Sequence, residues 1–179
     1  MNARFGSSQG PVLGRPTSNP VGTRQLRTLR IAAAICLSLS ASISAAPFES
    51  ARTIEGTPFN PAGHVTIVHY WATWCAPCRI EMPILDAFYR QHRGQGLEML
   101  AISIDQGVST GKLKEVSSKF AFPVAKVDDV RMPRRDIPSA IPVNRIYDKA
   151  GRLVFQSKAD GRSTIDMATL ERVVTPLLR

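Results

Sequence analysis

Apolar positions along the chain follow two rhythms. Val65-Thr66-Ile67-Val68-His69-Tyr70-Trp71 is a β-branched and aromatic run, the pattern of a buried strand, and Leu97 to Ile104 forms a second one. Between them Ile80, Ile84, Leu85 and Phe88 recur at helical spacing, which predicts a helix from Pro77 to about Arg93. Pro77 suits its first turn, and Pro83 is expected to kink it. Lys112 to Phe120 reads as a second helix and Pro123 to Val127 as a short strand. Val143 to Tyr147 and Arg152 to Gln156 read as two strands joined by the turn Asp148-Lys149-Ala150-Gly151. A last helix is expected to run to Leu178, with Ser163 as its candidate N-cap and Leu170, Val173, Val174 and Leu177 on one face.

The remaining segments are turns. Arg52 to Gly63, with Gly56, Pro58, Pro61 and Gly63, reads as a short leading hairpin, and Pro133, Pro138 and Pro142 punctuate a loop. The order is βα, βα, then a β-hairpin and a helix, which predicts an α/β layer structure on a mixed sheet. Residues 47–179 show no internal repeat or low-complexity segment and are expected to form one domain, behind an N-terminal extension at 1–46.

Charge looks decisive and is not. The 179 residues carry a formal +9, which invites a nucleic-acid reading. Residues 1–46, however, hold Arg4, Arg15, Arg24, Arg27 and Arg30 and no acidic residue. Setting those five aside leaves 18 Lys and Arg against 14 Asp and Glu, or +4, and the case for nucleic acid weakens. Arg131, Arg134 and Arg135 then read as a solvated loop, or as a patch that meets an acidic partner.

The basic leader has the order of an export signal. Arg24, Arg27 and Arg30 precede the apolar stretch Ile31 to Leu39, and Ser42-Ile43-Ser44-Ala45-Ala46 offers small residues for cleavage. An uncleaved membrane anchor is the competing reading, against which the stretch is short and interrupted by serines. Residues 1–23, rich in Gly, Pro and Ser, are assigned no structure. The expected setting is periplasmic or extracytoplasmic, with membrane contact only through the leader.

Of the three cysteines, Cys36 lies in the apolar stretch and leaves with a cleaved signal; Cys75 and Cys78 remain as one Cys-x-x-Cys pair. Following a strand and opening a helix, this spacing suits thiol–disulfide exchange. Unpaired N–H groups and the helix dipole favour a thiolate at Cys75, the nucleophile, while Cys78, one turn in, resolves the mixed disulfide. Half a zinc site and an inert structural disulfide are the competing readings. Zinc normally wants two further ligands, and His64, His69 and His92 do not supply a suitable pattern. A loop this tight constrains the unfolded chain little.

The string Trp71-Ala72-Thr73-Trp74-Cys75-Ala76-Pro77-Cys78-Arg79-Ile80-Glu81-Met82-Pro83 resembles the active-site segment of the TlpA/ResA-like thioredoxins. The likeness runs over residues 56–178 in element order and is strongest at 68–83. It implies a thioredoxin-like fold, a central mixed β-sheet flanked by helices. It implies also a cis-proline facing the dithiol, for which Ile141-Pro142-Val143-Asn144-Arg145-Ile146-Tyr147-Asp148 supplies Pro142, with Pro138 the poorer match. Such a bond would present the backbone of Ile141 to an extended partner peptide. Trp74, Ala76 and Pro77 would complete the partner-binding rim, while Trp71 is expected in the core.

Glu81 matches the family's acidic residue three after the second cysteine and is expected to manage the Cys78 proton; an exposed helix carboxylate is the alternative. Two positions depart from the family. His69 stands six residues before Cys75, where an Asp or an uncharged polar residue is usual, and reads equally as a proton relay or as a satisfied core histidine. Ile141 replaces a frequent Thr and offers the sulfurs no hydrogen bond, which leans the site towards reduction.

The leading function is therefore an exported dithiol reductase of client-protein disulfides, of the type that matures cytochrome c or copper sites. A membrane electron donor would keep it reduced, with no cofactor beyond the Cys75–Cys78 disulfide and no metal. A disulfide-forming oxidant is the first alternative. A copper carrier is the second, and residues 93–179 contain no histidine to serve it. Peroxidase chemistry would need a cysteine in a different setting.

Overall fold

Strand β3 (Val65–Trp71) is buried at all seven positions and forms the centre of the structure. The computed structural model describes residues 47–157 and 165–179. The leader at 1–46, with Cys36 and its signal or anchor reading, and the candidate cap Ser163 lie outside the described residues.

β3 pairs in parallel with β4 (Leu97–Ser103), and β4 in turn with β5 (Val124–Lys126). On its other side β3 pairs antiparallel with β7 (Val143–Tyr147), which pairs with β8 (Leu153–Gln156). The result is a five-stranded mixed sheet in the order β5-β4-β3-β7-β8. Helices α1 (Ala76–His92), α2 (Thr110–Ser117) and α3 (Met167–Leu178) complete the α/β layer structure expected from the element order, in the thioredoxin-like form that the family resemblance implies.

Strand parity sorts the core. Val65, Ile67 and Trp71 of β3 and Ile146 of β7 pack with Met82, Leu85 and Phe88 of α1 and Leu170 and Val174 of α3. Val68, Tyr70 and Val143 point the other way, into a second cluster with Leu100, Ile102 and Phe48. His69 and Asn144 share the parity of the first group, so two polar side chains enter the layer between the sheet and α1.

Several boundaries shift. The leading hairpin is β1 (Ser50–Arg52) on β2 (Pro58–Phe59), and β1 also pairs with β6 (Val130–Arg131). The sequence pattern suggests only loop near β6, because a two-residue strand leaves no periodicity to read. Helix α2 begins and ends earlier than Lys112 to Phe120: Ser109 caps it by accepting from Lys112 N at 3.2 Å. Helix α3 starts at Met167 behind Asp166, which accepts from Thr169 N at 2.8 Å. Helix α1 continues past the exposed Pro83 to His92. The Asp148 turn closes because Oδ1 accepts from both Ala150 N and Arg152 N, with Gly151 at φ 76°.

Candidate active site

Strand β3 delivers the chain to the redox loop, and the loop is tied down before it reaches the cysteines. Thr73 N and Oγ1 donate to Asp105 Oδ2 and Oδ1 at 2.8 and 2.9 Å, while Ser103 Oγ donates to the same carboxylate at 2.8 Å. Asp105 follows β4, so the parallel neighbour of β3 anchors the residues that lead to the nucleophile. Cys75 N then donates to Ala72 O at 3.0 Å, closing a turn.

Cys75 is the N-cap of α1, and its sulfur accepts from Cys78 N at 3.2 Å. The two sulfurs are joined in a disulfide across Cα atoms 5.3 Å apart. Cys75 keeps 3% of its surface and Cys78 none. Both cysteines are thus buried in this oxidised state, Cys75 included, although exchange needs an accessible nucleophile. Pro77 sits in the first turn, half-buried, beside the exposed Ala76. Trp74 is 68% exposed and Ile80 64%, so the dithiol is rimmed by apolar side chains in water. Trp71 is fully buried in the core, as expected.

The Ile141–Pro142 peptide is cis, which settles the choice between Pro138 and Pro142. Register explains its place: Tyr70 pairs with Val143, so Pro142 stands level with Trp71, where β3 hands over to the redox loop. Ile141 packs against the cluster that contains Cys75 and Cys78.

Glu81 is fully buried, which corrects the alternative of an exposed helix carboxylate. Cys78, Glu81, Met82 and Leu85 lie on the inward face of α1, so the carboxylate enters the protein one turn beyond Cys78. Its Oε2 accepts from Asn144 Nδ2 at 2.8 Å and its Oε1 from Ile165 N at 3.0 Å. Burial pushes the carboxyl above its ordinary range, and those two hydrogen bonds oppose the push.

His69 is fully buried as well, paired in register with Asn144. Its Nδ1 lies 2.8 Å from Asn144 Oδ1 and 3.8 Å from Glu81 Oε2. Burial lowers the imidazole to about 4, so the ring is neutral at pH 7 and the contact with Glu81 is no ion pair. Nε2 is buried and has no hydrogen-bond partner among the described residues, so within them His69 is not a fully satisfied core histidine. Among the described residues no group of three or more His, Cys, Asp and Glu gathers to hold a metal ion.

Sequence reasoning missed two members of this arrangement, Asn144 and Asp105. A signal for Asn144 existed: it shares the strand parity of Ile146, so a polar residue stands where the pattern calls for an apolar one. Asp105 left no such mark, because its role comes from the pairing of β3 with β4.

This site can exchange disulfides: it offers a Cys pair at a helix start, an apolar rim, a proline loop at the same sheet end and a buried carboxylate one turn below. The model of the AhpC/TSA family matches residues 45–137, which include the redox loop and α1 but stop short of Pro142 and Asn144. The thiol-disulfide oxidoreductase ResA of Bacillus thuringiensis is 27% identical over 111 residues, covering 61% of this chain and 62% of that protein. The chain thus spans about three fifths of the length of such curated relatives. Among solved structures, a secreted Mycobacterium tuberculosis disulfide oxidoreductase homologous to DsbE aligns with TM-score 0.60 at 21% identity, over 73% of this chain and 97% of that one. StoA from Bacillus subtilis aligns with TM-score 0.57 at 20% identity, over 72% and 97%. Both likenesses carry the thioredoxin-like fold. No helix among the described residues is long and apolar enough to cross a membrane.

Proposed function

The chain belongs to the AhpC/TSA family, and from that premise we propose that it is an exported thiol–disulfide oxidoreductase that uses Cys75 and Cys78 to reduce disulfides in partner proteins. The observation that carries this reading is the placement of the Cys75–Cys78 disulfide at the start of α1, one turn from the buried Glu81. The ResA relative, by its name a thiol-disulfide oxidoreductase, supports the exchange chemistry.

In the reduced enzyme the Cys75 thiolate attacks a partner disulfide. A mixed disulfide forms, and one partner sulfur leaves as a thiolate. Cys78 then gives up its proton and attacks Cys75 Sγ. The enzyme disulfide closes and the second partner sulfur leaves, so the partner gains two electrons and the enzyme loses two. Glu81, ionised, is the acceptor of the Cys78 proton, with His69 Nε2 as a second base in the same layer. Trp74, Ala76, Pro77, Ile141 and Pro142 form the surface on which an extended client segment lies.

The clients are exported proteins whose cysteines must be reduced before haem or copper is attached. A membrane electron donor returns the enzyme to its dithiol, and the basic leader supplies the route out of the cytoplasm. No cofactor beyond the dithiol takes part. Catalysed reduction of insulin disulfides, abolished in Cys75→Ser, is the expected result. A redox potential in the range of strong oxidants, about −120 mV, would turn the direction of electron flow around.

A further inference from the structure

Three polar side chains from three elements meet in the buried layer beneath the dithiol: His69 of β3, Glu81 of α1 and Asn144 of β7. All three have no accessible surface. Asn144 is the only member bonded to both others, and it is the one that cannot titrate.

Its orientation follows from its partners. In the ionised state that accepts a proton, the Glu81 carboxylate can only accept, so in that state the side of the amide facing Oε2 is the donor Nδ2, at 2.8 Å. Oδ1 then faces His69 Nδ1 at 2.8 Å and requires a proton on that nitrogen. In the neutral ring this leaves the lone pair on Nε2, a buried atom with no hydrogen-bond partner among the described residues. The amide has one other orientation. With Oδ1 towards Glu81 it would need a carboxylic acid there, and Nδ2 would donate to a bare Nδ1, moving the ring proton to Nε2. The two orientations thus correspond to two opposite arrangements of acid and base under the cysteines.

We propose that Asn144 is a positioning residue for thiol–disulfide exchange: its single amide dictates which atoms of Glu81 and His69 are free to take the Cys78 proton. The inference rests on the oxidoreductase reading and adds to it a residue that sets the proton inventory. The step balances simply. The Cys78 S–H bond breaks, its electron pair stays on sulfur as the thiolate, and the proton passes to the Glu81 carboxylate or to His69 Nε2. Cys78 shares the buried face of α1 with Glu81, and the backbone N–H of Ile165, ahead of α3, lies 3.0 Å from Glu81 Oε1. Among the described residues no Lys or Arg hydrogen-bonds to Glu81 or His69.

The test uses the reduced full-length protein labelled with ¹⁵N-histidine and ¹³C-carboxyl glutamate. Wild type at pH 7 should show His69 with its proton on Nδ1. In Asn144→Leu the fixed tautomer should be lost, and the proton affinity of Glu81 should rise about tenfold, the size of one lost hydrogen bond to a charged group. The acid limb of the single-turnover exchange profile should move up in pH with it. Asn144→Ser, too short to span both partners, should do the same if the leucine variant fails to fold. An Nε2 proton on His69 in wild type would overturn the proposal without any variant. So would a folded variant whose tautomer, Glu81 midpoint and acid limb match wild type. Wild-type turnover of insulin disulfides reports on the oxidoreductase reading separately, so either idea can fall alone.

Discussion

Asn144 Nδ2 donates to Glu81 Oε2 across 2.8 Å, joining the helix that starts at the redox loop to the strand that follows the cis-proline. The two residues are 63 positions apart in sequence, and neither touches solvent. A carboxyl held this way is costly to ionise, because burial outweighs its two donors and raises its pKa.

Glu81→Gln should therefore change the pH profile of exchange as well as its rate. Glu81 accepts a proton only when ionised, so the wild-type rate should climb with pH along an acid limb displaced above the ordinary carboxyl range. The amide of the variant cannot take up a proton. That limb should disappear, and the resolving step should slow by about 10²-fold, the low end for a lost general base. Stopped-flow single turnovers between about pH 4 and 9 would read both effects. An unchanged limb in the variant would remove Glu81 from the proton path.

His69 makes the opposite contribution to stability. Its folded value of about 4 lies below the ordinary 6.5. Above pH 6.5 neither folded nor unfolded chain protonates this ring, and its contribution is complete. As pH falls from 6.5 towards 4, the unfolded chain gains a proton that the fold refuses, and stability drops by about 3 kcal/mol from this residue. Glu81 partly offsets that loss, since a raised folded value makes acid favour the native state. Urea unfolding across this range should show a shallower acid loss in His69→Asn than in wild type. Parallel curves would mean that His69 is not buried neutral.

The cysteines were legible because a Cys-x-x-Cys spacing between a strand and a helix carries the chemistry, whereas Glu81 and Pro142 were legible only through the resemblance of their segments to the TlpA/ResA-like thioredoxins. The mixed sheet was legible because β3 is a β-branched and aromatic run, β4 is largely apolar, and β7 and β8 flank a Gly-ended turn. What linear pattern could not reveal is register. That Asn144 stands opposite His69, and that Asp105 stands behind Thr73, follows from which strand lies beside which and in what phase. The burial of Glu81 was hidden for a related reason. The helical spacing grouped Ile80 with Ile84, Leu85 and Phe88, but Ile80 is 64% exposed while Glu81 is closed.

Asp105 should matter although it meets neither sulfur. Its carboxylate accepts from Thr73 N, Thr73 Oγ1 and Ser103 Oγ. Asp105→Ala leaves these donors to compete for water and loosens the loop before Cys75. A loss of about 2 kcal/mol in urea unfolding is expected, as for a hydrogen-bonded charged group, together with a lower kcat for insulin reduction. Stability and kcat both equal to wild type would show that the loop holds itself.

Trp74 should behave in the reverse manner. At 68% exposure it contributes little to the core, and Trp74→Ala should alter stability by less than about 0.5 kcal/mol. A protein client that lies on the ring should bind less well, raising KM for insulin. A small disulfide, too small to need the rim, should react at an unchanged rate. Equal losses for both substrates would mean that Trp74 shapes the loop rather than the docking surface.

The central claim, that Cys75 attacks and Cys78 resolves, is tested most directly by trapping. Reduced Cys78→Ser is mixed with a disulfide-bonded protein, quenched with acid and analysed by intact mass and peptide mapping. The account predicts a stable mixed disulfide on Cys75, with far less adduct in Cys75→Ser. A Cys78→Ser protein that captures nothing, or a Cys75→Ser protein that captures as much through Cys78, would contradict it.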